Sequence, residues 1–172
     1  MSDEYPTSIE RDPRFPSGEW TGFYLQYWMP GRHKTDLSLS WNNGIVTGEG
    51  RDRVGAFTID GTYDTATGKC EWKKQYVGRH SVAYRGVNDG RGIWGVWEIR
   101  LFGGLYADRG GFHLWPEGTD VSEASDATER AVTAAMYKEF GNRSSPFHPV
   151  VGALFLLACA GLGFLVWWKL RF

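Results

Sequence analysis

The sequence predicts a mainly β protein: an eight-stranded antiparallel up-and-down β-barrel, followed by an amphipathic α-helix and one C-terminal transmembrane helix. Three observations predict it. Between Lys69 and Phe102, aromatic and β-branched residues recur at period two in three successive runs, each stopped by Gly, Asn or Asp. Similar runs continue the pattern back to Trp20 and forward to Trp115, with no helical stretch between them. Beyond Thr119 the chain turns alanine-rich, and Val150 to Trp168 then carries no charged residue.

Strand one is read as Trp20 to Met29, apolar on both faces, so both faces should be covered. Pro30 to Lys34 reads as a turn. Strand two, Thr35 to Trp41, alternates Leu37, Leu39 and Trp41 with Ser38 and Ser40, and Asn42-Asn43-Gly44 closes a tight hairpin. Strand three runs from Ile45 to about Gly50, followed by the charged loop Arg51-Asp52-Arg53. Strand four, Gly55 to Tyr63, puts Phe57, Ile59, Gly61 and Tyr63 on one face. Strands five to seven follow, divided by Gly78-Arg79 and by Asn88-Asp89-Gly90-Arg91, the second an Asp-Gly hairpin signal. A loop from Gly103 to Gly110 leads to strand eight, Gly111 to Trp115, stopped by Pro116.

Short links between consecutive strands make a meander, and eight strands can close and so remove the sheet edges. A two-sheet sandwich is the alternative, but it needs long crossings that this sequence does not offer. Val121 to Phe140 favours helix, with Asp120 or Ser122 as caps and Gly141 as its end. Its stripe of Ala124, Ala127, Ala131, Ala135 and Met136 should dock on the barrel, with self-association as the alternative. Val150 to Trp168 would span about 28 Å as a helix, the thickness of a bilayer core. Trp167 and Trp168 suit the interface, and Lys169 and Arg171 the headgroups. The expected domains are a flexible leader (1–18), the barrel (19–117), a juxtamembrane helix (118–141), a hinge (142–149), the span (150–168) and a short basic tail (169–172). The acidic start Met1-Ser-Asp-Glu lacks the features of a secretory signal, so a tail anchor with the barrel in the cytoplasm is expected.

Composition narrows the function. Lys and Arg total 19 against 20 Asp and Glu, a formal charge of −1, which argues against a nucleic-acid binder. The two cysteines, Cys70 in a strand and Cys159 in the apolar segment, read as free thiols in a reducing compartment. No Cys/His metal spacing, nucleophile elbow or phosphate loop occurs, so no metal or cofactor is expected.

The meander places the loops after strands one, three, five and seven at one mouth. Arg32, Lys34, Arg51, Arg53, Arg79 and Arg109 fall there as rim cations, and the membrane helix is expected to hang from the opposite rim. Inside, alternation turns Trp72, Lys74 and Tyr76 of strand five inward, with Tyr84 and Trp97 beyond and His80 at the rim. A lysine there must be paired, solvated or turned outward. These six are the candidate ligand-binding residues.

The stretch Trp20 to Trp115 resembles the avidin and streptavidin family. The resemblance rests on Trp20 to Gly22, Val46-Thr47-Gly48, Gly61-Thr62-Tyr63-Asp64, Trp72-Lys73, His80-Ser81 and Trp97. It implies an eight-stranded meander barrel with a ligand at one mouth, and it makes Trp72 and Trp97 pocket tryptophans. The family's polar biotin contacts are not matched; Gly50 and Asp52 stand near two of them. The expected function is therefore binding of a small, partly apolar, anionic ligand by a barrel anchored in a lipid bilayer. The alternative is a filled barrel that forms a homo-oligomer or recruits a protein partner. An enzyme using His80 with Glu98 is the third reading.

Overall fold

The computed structural model describes residues 10–27, 29–101, 106–119 and 124–141. Eight antiparallel strands run β1 (Gly18–Gln26), β2 (Met29–Asn42), β3 (Ile45–Asp52), β4 (Ala56–Tyr63), β5 (Lys69–Tyr76), β6 (Ser81–Asn88), β7 (Ile93–Leu101) and β8 (Tyr106–Pro116). Each pairs with its neighbour in sequence, and β8 pairs back onto β1 from Trp20↔Pro116 to Gln26↔Gly110, closing the barrel. The β2–β3 hairpin turns on Asn43 and Gly44, both at positive φ (49° and 80°), the combination that matches the twist of the flanking strands.

Period-two alternation divides the residues between interior and outer wall. Trp20, Leu37, Leu39, Trp41, Val46, Ile59, Tyr63, Cys70, Trp72, Ile93, Phe112 and Leu114 pack into one continuous core. Burial pushes the Cys70 thiol up to about 12, so it is an inert thiol of the core. Phe23 and Leu25, on the outer face of β1, form a second cluster with Val132. Both faces of β1 are thus covered, as its two-sided apolar sequence requires.

Several boundaries differ from the sequence reading. The supposed turn at Pro30 to Lys34 is strand, because β2 starts at Met29, which pairs with Gln26, and past a register shift pairs again with β1 from His33 on. Its first residues lie beyond the end of β3, which begins pairing at Thr35↔Asp52, so Pro30 removes no bond to that neighbour. The strand β3 runs on to Asp52, and β8 starts at Tyr106, so Asp52 and Asp108 belong to strands and not to loops. The leader enters the fold by Glu10: Phe15 is fully buried, 5.0 Å from the ring of Trp41 and 4.8 Å from that of Tyr63. Around it, the Trp20 indole donates to the Pro16 carbonyl (2.9 Å) and the Trp41 amide to Ser17 Oγ (2.9 Å). Residues 10–17 therefore plug the base of the barrel.

The helix α1 (Ala124–Phe140) docks on the outer wall of β7 and β8. Its buried stripe is Thr128, Val132 and Met136, whereas Ala127 and Ala131 are exposed. The reason is local: Val132 fills a notch over Gly111, where an added Cβ would stand 2.2 Å from Val132 Cγ1. Arg32 bonds to Glu129 and Arg85 to Glu139 (3.1 Å), tying the helix to β2 and β6. Gly111→Val is expected to lift α1 while the barrel stays folded. Hydrogen exchange should then quicken at residues 124–141 and not in the strands; unchanged exchange in the helix would contradict this packing.

Gly141, at φ 64°, ends α1 by donating to the Tyr137 carbonyl (2.8 Å). That end lies at the mouth: the Tyr137 ring is 6.2 Å from Tyr27 in the β1–β2 connection, and Arg109 lies over both Tyr27 and Phe140. The chain leaves β8 at the base, opposite the rim cations, and the helix carries it back, so the described chain ends at the mouth. The expected hinge, span (150–168) and tail lie outside the described residues. No helix among the described residues is long and apolar enough to cross a membrane.

Candidate functional site

The lower barrel is filled by side chains, and the upper half holds a cavity of about 70 Å³ opening at the mouth. Its walls include Tyr24, Tyr76, His80, Tyr84, Trp97 and Asp108. A void of about 10 Å³ lies beside it, lined by Trp72, Lys74, Phe57 and Thr35 and sharing Tyr24 and Tyr84. The six candidate ligand residues thus come together: four line the mouth cavity, and Trp72 and Lys74 line the adjoining void. Trp72 stacks on Tyr84 at 5.5 Å, and the Trp97 indole donates to the Leu25 carbonyl (3.1 Å). Gly110 leaves the space that this indole occupies.

Lys74 is inward and paired. Its ammonium lies 2.6 Å from Asp52 Oδ2, with the two side chains 4% and 0% exposed. The Tyr76 hydroxyl donates to the same oxygen at 2.6 Å. The amides of Val54 (2.8 Å) and Gly55 (3.3 Å) donate to Asp52 Oδ1. The Lys74 nitrogen also sits 3.6 Å from the centre of the Phe57 ring, so ring faces surround what the carboxylate does not. Burial pushes the Asp52 carboxyl up, but the Lys74 ammonium, the Tyr76 hydroxyl and the Val54 amide outweigh it and hold the group below its ordinary value. Burial lowers Lys74, and Asp52 opposes that shift. The tyrosines titrate high: burial pushes Tyr24 up to about 12, and raises Tyr76 and Tyr84 further, with the Asp52 charge adding to each. All three are neutral hydroxyls at ordinary pH.

Asp108 is the second buried carboxylate. It accepts from Gln26 Nε2 (2.6 Å) and from the Arg109 amide (2.8 Å), and no cation stands at ion-pair distance among the described residues. The interior of the mouth therefore holds two carboxylates and one ammonium. His33 Nε2 and Thr35 Oγ1 are buried there without a hydrogen-bond partner among the described residues.

The rim is less basic than the sequence suggests. Arg53 and Arg79 are at the mouth, where Arg53 Nη1 lies 3.2 Å from His33 Nδ1 and Arg79 Nη1 donates to the Val54 carbonyl at 3.4 Å. Arg32, Lys34, Arg51 and Arg109 project from the outer wall instead. Their strands run further than expected, and alternation turns these positions outward. Arg32 lies over the Phe23 ring beneath α1, and Lys34 pairs with Asp36 (3.0 Å). The pairing of His80 with Glu98 does not form. His80 lines the mouth cavity, 5.2 Å from the Tyr76 ring, while Glu98 lies on the outer wall bonded to Arg100. Among the described residues no group of three or more His, Cys, Asp and Glu side chains could hold a metal ion.

The sequence reading missed Asp52, Asp108, Tyr24 and Gln26. Asp52 had a signal, since it continues the inward face of Val46, Gly48 and Gly50 and supplies the charge that Lys74 requires.

Fold and site together define a class: a closed eight-stranded antiparallel meander barrel, plugged at the base and open at an aromatic mouth. That architecture is compatible with an avidin-like fold. Comparison with protein-family models, curated proteins and solved structures gives no match for this chain.

Proposed function

We propose that this protein is a membrane-anchored ligand-binding barrel that takes the apolar part of a small ligand into its mouth cavity. Residues 150–168 would hold it in a bilayer, with the barrel on the cytosolic side. The observation that carries the reading is the open cavity itself, walled by tyrosines and Trp97 and provided with Asp108 and His80 as polar groups. Pockets of this kind combine apolar walls with a few placed polar groups. The interior charge favours a neutral or cationic polar end on the ligand over the anionic one that a basic rim suggests. The cavity of about 70 Å³ admits a small group, and the mouth leaves room for the remainder outside.

The volume also supports a second reading, a filled barrel that serves as an interaction module, because drug-sized ligands occupy roughly 300 Å³ or more. Native mass spectrometry of the full chain released from detergent separates the two. A stoichiometric added mass that disappears in Val82→Phe, which fills the cavity from β6, is the expected result. A clean oligomer with no added mass, identical in the variant, would favour the interaction module.

A further inference from the structure

We infer that the mouth end of the barrel, together with the end of α1, rests against an anionic bilayer surface. This inference relies on the proposed anchor at 150–168 and adds which face of the barrel meets the membrane. The first observation is where the described chain stops. The helix α1 ends at Gly141, beside Tyr27 and Arg109 on the mouth side, and the apolar stretch begins at Val150. A leash over 142–149 reaches at most about 28 Å fully extended, and it carries Pro146 and Pro149. The mouth is the end of the barrel nearest its origin.

The second observation is composition. Four large hydrophobic side chains are exposed among the described residues, and three lie at this end: Val77 (68%), Tyr137 (49%) and Met29 (40%). Cations sit among them. Arg53 Nη1 is 3.1 Å from Met29 Sδ, Arg79 follows Val77 in the same turn, and Lys138 follows Tyr137 in the last turn of α1. Exposed apolar and tyrosine side chains interleaved with cations are what a headgroup layer accepts.

The third observation is the distribution of acids. At the mouth Asp52 and Asp108 are buried, and Glu98 and Glu139 are each bonded to an arginine. At the plugged base Asp12 and Asp89 are likewise bonded to Arg14 and Arg91, but Glu10, Asp64 and Glu117 have no arginine at ion-pair distance among the described residues. An anionic surface would favour the mouth, where the acids are buried or paired, over that base.

The test uses the full chain in phospholipid vesicles, with Cys70 and Cys159 replaced by Ala. A fluorophore is attached through Val77→Cys at the mouth or Ala66→Cys at the base. A quencher carried on lipid headgroups reports which end meets the surface. The expected result is severalfold stronger quenching at position 77 than at 66 in vesicles containing phosphatidylserine. That difference should shrink in pure phosphatidylcholine and in the Arg53→Glu/Arg79→Glu variant. Equal quenching, or stronger quenching at 66, in a chain that resists alkaline extraction overturns the orientation and leaves the anchor standing. Extraction of the chain by alkaline carbonate overturns both.

Discussion

Asp52→Ala is expected to destabilise the barrel by about 3–5 kcal/mol, the range for removing one partner of a buried ion pair. The Lys74 ammonium would lose its only counter-charge among the described residues, within a site where both side chains are at most 4% exposed. The Tyr76 hydroxyl and the Val54 amide would lose their acceptor, while the Gly55 amide would keep only the Asp52 carbonyl (3.2 Å). Lys74→Met should cost less, because Asp52 keeps those three donors and a thioether suits the Phe57 ring. The double variant should then be less destabilised than the sum of the two, since the stranded charge is gone. Thermal denaturation of the full chain in detergent measures all three. Strict additivity would mean that the pair does not act as a unit.

The same group sets an acid limb. Asp52 titrates below its ordinary value in the folded protein, so the unfolded chain binds its proton first. Its contribution is complete above the unfolded value of about 3.9 and is lost as pH falls through the lower folded value. Asp52→Ala should flatten that part of the stability profile, and an unchanged acid limb would sink the assignment.

Phe15→Ala is expected to cost about 3–5 kcal/mol, as for a large aromatic removed from a packed core. The ring is fully buried between Trp41 and Tyr63, and the cavity left behind could not easily collapse. The chain around it is held at several points, including the Asn88 amide on the Arg14 carbonyl and the Arg14 side chain on the Thr65 carbonyl. If residues 10–17 only trailed from β1, the substitution would shift the melting temperature hardly at all. That outcome would remove the plug from the fold.

The three central strands were legible because each local signal agreed with the next. Period-two alternation turned Trp72, Lys74, Tyr76, Tyr84 and Trp97 inward, and the Asn88-to-Gly90 turn fixed a register that keeps Tyr84 opposite Trp97. The rim was misread where strands overran polar sequence. Arg32, Lys34 and Arg51 look like loop residues, yet an outer barrel wall accepts charge at every second position. Asp52 and Asp108 were hidden by the same overrun, since a carboxylate enters a barrel only when a partner awaits it. For Asp52 that partner lies on another strand. Phe15, between Pro13 and Pro16, carries no periodic signal at all; its burial follows from the open base that the closed sheet creates.

The overhang of β2 bears on how this protein can meet others. From Met29 to Lys34 the strand pairs with β1 at Met29, His33 and Lys34 and has no described strand on the other side, so its outer backbone groups could serve as a template for a foreign strand. Pro30 lacks a donor there, and exposed Gly31 and Lys34 favour neither a flat surface nor close approach. At the same mouth Ile99 to Leu101 of β7 and Tyr106 to Asp108 of β8 pair with each other and extend past β6 and β1. Assembly by strand addition is discouraged at β2 by Pro30 and its neighbours.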